Sequence, residues 1–513
     1  MSRGCVRWLL LISITVTVAG SAAQCRPVMG ESAVQAATSI TADWENVVGS
    51  GPTYHGVEYG WVDQDSDLFL QRYRRLHPNI LRVQITQEYF EMVNDNDDPN
   101  TSEIDFNITL PLDSQAGKFL TYREMFSTLA SEFPDMHFHI NMWLAARWNA
   151  TDPNGYLGLG GAFPPLDYAE HREFIRELAR WLVETCGIAP SRLSFSFINE
   201  PNLTPFFVGS QADLVRMGAE TRAALDAVSP QIQMMGLDEV HGTDWTDAFH
   251  PQRQEGCCDA WTFHVYERGV DAVWAALQTR AEHLGSYGPV WATEFADTAN
   301  GSPDAQMDFS SREAALGFAE VAGRLWTEVD GIIHFRLADT YVDQQGQLGG
   351  WAGHGLFADW RGTKSDGEPY AIYPTFWVFA NLFGQLGGGQ IVDTTSPSDL
   401  VLVGARHDDP VAVRLALWIT NPSDTAYTTT VQVTEFPVDV ASVKMLDNLN
   451  SDAPMATIMA TGKPLKFEIQ IAERSSYTIV VEQFPANALY LPIVLKHIGQ
   501  STFYSRKAPR LCK

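Results

Sequence analysis

The sequence predicts an α/β fold: a (β/α)8 TIM barrel followed by a small C-terminal antiparallel β-sandwich. Three observations carry this reading. Eight short apolar segments alternate with helical ones across residues 50–384. Two of those segments end in a glutamate, Glu200 and Glu294. Beyond residue 384 the apolar period changes to two. Alternating strand and helix signals are the pattern of a parallel sheet, and eight is the number that closes a barrel.

The strand segments lie near Val57–Trp61, Ile80–Ile85, His137–Met142, Leu193–Ile198, Met234–Leu237, Trp261–His264, Val290–Thr293 and Gly331–Phe335. Helix starts are legible between them. Asp167 with Glu170, and Ser310 with Glu313, have capping-box spacing. Phe174, Leu178 and Trp181 then share a helical face, as do Phe318, Val321 and Leu325. Gln87 to Leu120 is a long polar connection with an acidic run at Asp95, Asp97 and Asp98, read as part of a cleft wall. It lacks the ordered spacing of a calcium loop. Gly155 to Gly161 matches no nucleotide fingerprint and reads as a flexible rim loop.

Tyr373–Phe383 is the last amphipathic helix. Alternation in Val411–Ile419, Phe467–Ile471 and Tyr477–Val481 then predicts the sandwich over 385–484, packed on the barrel across a short glycine-rich connection. An independent sugar-binding module is the competing reading of that segment. Ahead of the barrel, 24–49 holds a small-residue linker and a strand near Ser39–Val48 outside the barrel, a candidate strand of the sandwich. Residues 1–23 read as a secretory signal. Arg3 and Arg7 give its basic start, Leu9–Val18 its apolar core, and Ser21-Ala22-Ala23 its cleavage site. The expected location is therefore secreted or extracytoplasmic. The tail 485–513 is too short in its apolar part to span a bilayer.

A formal charge of −27 disfavours nucleic acid and anionic membranes as partners. No metal spacing, HExxH, Walker or GxSxG pattern occurs, so no cofactor and no metal is expected. Outside the signal, Cys25, Cys186, Cys257, Cys258 and Cys512 leave the pairing open, with Cys186 to one of Cys257 and Cys258 as one pairing.

The chemistry is expected at two strand ends. Leu193, Phe195 and Phe197 alternate, and Asn199-Glu200-Pro201 follows; proline cannot continue a ladder, so a carboxylate stands at the strand's C-terminal tip. Val290-Trp-Ala-Thr-Glu294 repeats the arrangement 94 residues later. Two carboxyls facing across a barrel mouth suit glycoside hydrolysis with retention. Arg82 lies between Leu81 and Val83 inside a strand, where free solvation is excluded.

Asn199-Glu200-Pro201 and Thr293-Glu294-Phe295 resemble the strand-four and strand-seven motifs of the retaining glycoside hydrolase clan that includes families 5, 30 and 39. The resemblance covers about 335 residues (50–384) and is closest to family 39, the β-xylosidase-like family. It implies Glu200 as acid/base, Glu294 as nucleophile and no cofactor. It implies further that Arg82 lies beneath the nucleophile, that Asn199 bonds the substrate 2-hydroxyl, and that the strand-six pair His264 and Tyr266 supports the site. Trp143 and Trp148 resemble the aromatic-rich end of strand three, and Trp351 lies in a glycine-rich loop before the last helix, so all three are candidate sugar contacts, with core packing the alternative for Trp143 and Trp148. Phe335 departs from the clan's tryptophan at the end of strand eight. The implied activity is secreted, retaining β-glycosidase action on polysaccharides or oligosaccharides. A non-catalytic sugar-binding protein on the same scaffold is the alternative.

Overall fold

The computed structural model describes residues 35–59, 66–94, 104–105, 121–253, 256–300, 309–339, 354–358, 370–397, 399–408 and 413–483. The signal at 1–23, the tail at 485–513, Trp351, Cys25, Cys512, and Asp95, Asp97 and Asp98 of the long connection lie outside them.

Eight strand positions form the barrel, every neighbouring pair parallel: Tyr54–Glu58, Ile80–Thr86, His137–Leu144, Leu193–Ser196, Gln233–Val240 in two pieces, Trp261–Glu267, Val290–Asp297 and Gly331–His334. Strand five breaks after Met235. Its lower piece pairs with strand four, and its upper piece, Glu239–Val240, pairs with strand six. The seam is held where Gly236 N donates to Ala260 O at 2.9 Å. Strand one begins three residues before the expected Val57.

Period-two burial divides each strand between two cores. On strand two, Leu81, Val83 and Ile85 face the helices, and Ile80 joins Met235, Trp291 and Ile333 inside the barrel. On strand three the polar residues His137, His139 and Asn141 form the inward row. His139 sits between two serines of strand four, with Nδ1 2.9 Å from Ser194 Oγ and Nε2 3.1 Å from Ser196 Oγ. Burial lowers the pKa of His139 to about 3, so it is neutral there.

Two helix starts differ from expectation. Ser311, not Ser310, caps Arg312–Leu325, its hydroxyl accepting from Ala314 N at 3.1 Å. Asp167 caps Tyr168–Glu184 by accepting from Ala169 N at 2.7 Å, without the reciprocal half of a capping box. The loop Gly155–Gly161 is packed, not a free rim. Gly161 pairs with Ala145, and a Cβ on Gly161 would lie 2.1 Å from the Ala150 Cβ, so the glycines serve close approach.

The expected sandwich is instead one hydrogen-bonded ring of nine strands. Two contacts remove the open edges that would leave two separate sheets. Strands Pro454–Thr461 and Leu465–Ile471 join at a single pair, Thr461 with Lys466. The N-terminal strand, Gln35–Ser50, runs antiparallel to Gln390–Thr395 and parallel to Tyr427–Thr434. It includes Gln35–Ala37, expected as linker, and its Ile40, Ala42 and Trp44 enter the ring's core. The ring packs on the barrel's seventh helix, where Trp418 Nε1 donates to Ala319 O at 3.1 Å, and near its eighth, where Asn381 Nδ2 donates to Ser451 O at 3.0 Å. Cys186, Cys257 and Cys258 are free thiols, so of the pairings left open that of Cys186 with Cys257 or Cys258 is absent; Cys257 and Cys258 have their sulfurs 3.7 Å apart.

Candidate active site

The strand ends converge on Arg82. Its guanidinium is fully buried, and Nη1 donates to both Glu58 Oε2 and Glu294 Oε1. Nη2 donates to Asn199 Oδ1 at 3.0 Å and Asp238 Oδ2 at 3.3 Å, and lies 3.4 Å from His264 Nε2. One side chain from strand two therefore touches groups from strands one, four, five, six and seven.

Glu294 reaches this centre because strand seven bulges. Phe263 pairs with Ala292 but His264 pairs with Glu294, so Thr293 is the extra residue. Thr293 and Glu294 then both serve the interior: Thr293 Oγ1 donates to Asp238 Oδ1 at 2.8 Å, and Glu294 Oε2 accepts from Tyr266 OH at 2.6 Å. Bulges re-aim side chains in this way beside functional sites.

Glu200 sits in the turn after strand four with φ +44°, a left-handed conformation costing about 1–3 kcal/mol for a non-glycine residue. Asn202 holds the turn by donating to Val240 O and accepting from Val240 N, the latter at 3.3 Å. His264 Nδ1 lies 2.8 Å from Glu200 Oε1. With the proton on Nδ1, His264 donates to Glu200, and Nε2 is left to accept from Arg82. Carboxyl oxygens of Glu200 and Glu294 and a ring nitrogen of His264 lie within 4.8 Å of one another.

Burial raises the Glu200 pKa, with Glu294 adding to the rise and the His264 hydrogen bond opposing it. Burial raises Glu294 as well; Arg82 and Tyr266 oppose that rise without cancelling it. Arg82 and Tyr266 therefore do not bring Glu294 below the ordinary range, because desolvation at 5% exposure is the larger influence.

Three acidic or amide groups of this centre escaped the sequence reading: Glu58, Asp238 and Asn141. Asn141 Nδ2 donates to Asp238 Oδ2 at 2.7 Å. Glu58 had a signal, a lone charge in the apolar Gly-Val-Glu-Tyr run of strand one. Asp238 had one too, a charge directly after the expected strand Met234–Leu237, but it stands where strand five breaks.

The tryptophans are the weakest part of the expectation. Trp143 is 1% exposed and packs with Leu144 and Phe206, edge-to-face with Tyr156 at 5.9 Å, so no ring face is open to sugar. A register shift between strands two and three skips Trp143, which re-aims it into that loop cluster. Trp148 is half-buried on a short helical turn, its Nε1 donating to Glu91 O at 2.9 Å. Phe335 is buried with its edge to His354 at 5.1 Å.

Residues 213–319, which include strands five to seven with Asp238, His264, Tyr266 and Glu294, match the family model described as glycosyl hydrolase catalytic core. Over that stretch the chain is similar to a glycosyl hydrolase catalytic core. No curated protein sequence matches it. Among solved structures, a GH39 enzyme from Xanthomonas axonopodis pv. citri is similar with a TM-score of 0.63 at 14% identity, over 88% of this chain and 98% of that one. A monomeric β-xylosidase from Caulobacter crescentus CB15 gives 0.63 at 16%, over 87% and 99%. A GH30 endoxylanase from Clostridium papyrosolvens C71 gives 0.58 at 11%, over 87% and 100%. These likenesses are of fold, and they extend through both the hydrolase core and the C-terminal strands.

Proposed function

We propose that this glycosyl hydrolase core is a secreted, retaining β-glycosidase that cleaves O-glycosidic bonds of polysaccharides or oligosaccharides by double displacement. The observation that carries the reading is the pair Glu200 and Glu294, with carboxyl oxygens within 4.8 Å and only one of the two bonded to Arg82. Retaining sites hold their carboxyls about 5–5.5 Å apart, too close for water to attack from the far face. Glu294 attacks the anomeric carbon, with Arg82 and Tyr266 orienting its two oxygens. Glu200, protonated and oriented by His264, gives its proton to the leaving oxygen. It then takes a proton from the water that releases the sugar. Asn199 is assigned to the substrate 2-hydroxyl, although its Oδ1 is engaged by Arg82 and only its amide nitrogen is left to donate. Trp148 and Trp351 stay proposed sugar contacts; Trp143 does not. The basic start and apolar core of residues 1–23 support secretion.

The test is a panel of aryl β-glycosides and plant-type polysaccharides. Turnover with a bell-shaped kcat/KM is expected, its acid limb above the ordinary glutamate range because Glu294 is raised. Glu200→Gln should remove the alkaline limb for substrates with good leaving groups. A 2-deoxy-2-fluoro glycoside should leave its adduct on the Glu294 peptide. Sugar binding without product from any substrate points to the non-catalytic alternative, and an inverted product by NMR overturns the mechanism.

A further inference from the structure

Arg82 serves more carboxylates than one positive charge can match. Asp238 is stably ionised: burial works against it, but the Arg82 charge holds it at about 2. Glu58 and Glu294 remain, both on the same nitrogen, Nη1. Two carboxyls crowded into one buried site do not both ionise readily. Their hydrogen bonds distinguish them. Both oxygens of Glu294 are engaged, Oε1 by Arg82 and Oε2 by Tyr266. Glu58 has only Oε2 engaged, and its buried Oε1 has no hydrogen-bond partner among the described residues. Charging a carboxyl that keeps one bare buried oxygen is the costlier choice. The charged groups facing Glu58 are Arg82 from strand two, Glu294 from strand seven and Arg336 from the segment after strand eight. Arg336 also acts on Asp339 and Glu294, so its charge is not Glu58's alone.

We propose that Glu58 is a positioning residue that holds Arg82 from strand one while carrying a proton, which leaves Glu294 the ionised member of the pair. It touches no reacting atom. In agreement, burial pushes Glu58 up to about 8, with Arg82 opposing and Glu294 reinforcing the rise. The neutral acid accepts from Arg82 through Oε2 without competing for its charge, so the guanidinium field is available to Glu294 and Asp238. This inference deepens the reading of Glu294 as nucleophile and rests on it, but its first readout does not need turnover.

That readout is infrared difference spectroscopy of the full-length protein between about pH 6 and pH 9.5, bracketing the carboxyl. Subtracting the Glu58→Gln difference spectrum from the wild-type one should leave a carboxylic-acid C=O band that vanishes with a midpoint near 8, because Glu173, also pushed up to about 8 by burial, and the raised Glu200 titrate in both proteins. Glutamine mimics the protonated acid, placing its oxygen toward Arg82. The second readout is kcat/KM against pH, where Glu58→Gln should leave the acid limb within about 0.3 pH units of wild type. The proposal is overturned if the subtraction leaves no such band. It is also overturned if the glutamine moves the acid limb by about one unit or more, since Glu58 would then have carried a charge. Should Glu58→Gln fail to fold, Glu58→Asp withdraws the carboxyl from Arg82 and must shift the band's midpoint; an unmoved midpoint also overturns it. Failure of every substrate in the panel counts against the glycosidase reading alone, because the infrared result still decides where the proton sits.

Discussion

Replacing Asp238 with asparagine tests whether the centre is held together by charge. Asp238 accepts from Asn141 Nδ2 at 2.7 Å and Thr293 Oγ1 at 2.8 Å, one donor on each oxygen, with Arg82 at 3.3 Å. Its pKa falls from 3.8 to about 2, a difference worth about 2.5 kcal/mol of folding stability at neutral pH. A depressed carboxyl contributes fully above its unfolded value and loses that contribution as pH falls through its folded value. Asparagine offers one acceptor where two are needed, so Asn141 or Thr293 must face an amide donor, at roughly 1–3 kcal/mol. Urea unfolding at pH 7 should therefore show Asp238→Asn less stable by about 4 kcal/mol. By pH 3 the gap should narrow by about 1 kcal/mol, as Asp238 of the unfolded chain protonates at its ordinary value while the folded one stays mostly charged. The Asp238 charge also adds to the raised pKa of Glu294, so its removal should move the acid limb of kcat/KM to lower pH. A gap below about 1 kcal/mol, or one that is the same at both pH values, would refute the reasoning.

Two further outcomes follow from packing. Trp44→Ala should cost about 3–5 kcal/mol, because the ring is 4% exposed, edge-on to Phe436 at 5.1 Å and beneath the Arg406 guanidinium; a melting temperature within a degree or so of wild type would show that the N-terminal strand contributes little. Trp143→Ala should destabilise the protein by a similar amount, with KM unchanged in whatever molecules stay folded, whereas a KM rise without loss of stability would make Trp143 a sugar contact after all.

The part of the candidate site around Arg82, Glu200 and Glu294 was legible because charges inside apolar strands are costly and therefore conspicuous. Arg82 between Leu81 and Val83, and Glu200 and Glu294 at the tips of apolar runs, stand out against their neighbours. Glu58 was equally conspicuous, but the expected strand began at Val57 and made it an early residue instead of the last one. Asp238 and Trp143 were lost to irregularity. Alternation assumes an unbroken ladder, and strand five breaks before Asp238 while strand three skips a partner at Trp143. Hydrophobic period can count strands, but it carries no record of whether a ring closes; the nine-stranded ring depends on one hydrogen-bonded pair at Thr461 and on a strand nearly 400 residues away in sequence.

That strand makes the barrel, topologically, a passenger inside another domain. Gln35–Ser50 is synthesised first, yet its ladder partners Gln390–Thr395 and Tyr427–Thr434 leave the ribosome only after the entire barrel. During synthesis the strand waits with its edges unpaired while some 340 residues emerge. Its apolar positions are spaced by polar neighbours, Thr38, Ser39, Thr41 and Asp43, a composition that limits strand-to-strand association in the interval. Neither end of the molecule can then be cut away as a separable module. Trimming at residue 50 removes a ring strand, and trimming at residue 390 leaves Gln35–Ser50 with nothing to pair against. Autonomous expression of the hydrolase core requires both ends to be removed together, and the ring alone requires its two ends to be joined across the gap that the barrel now fills.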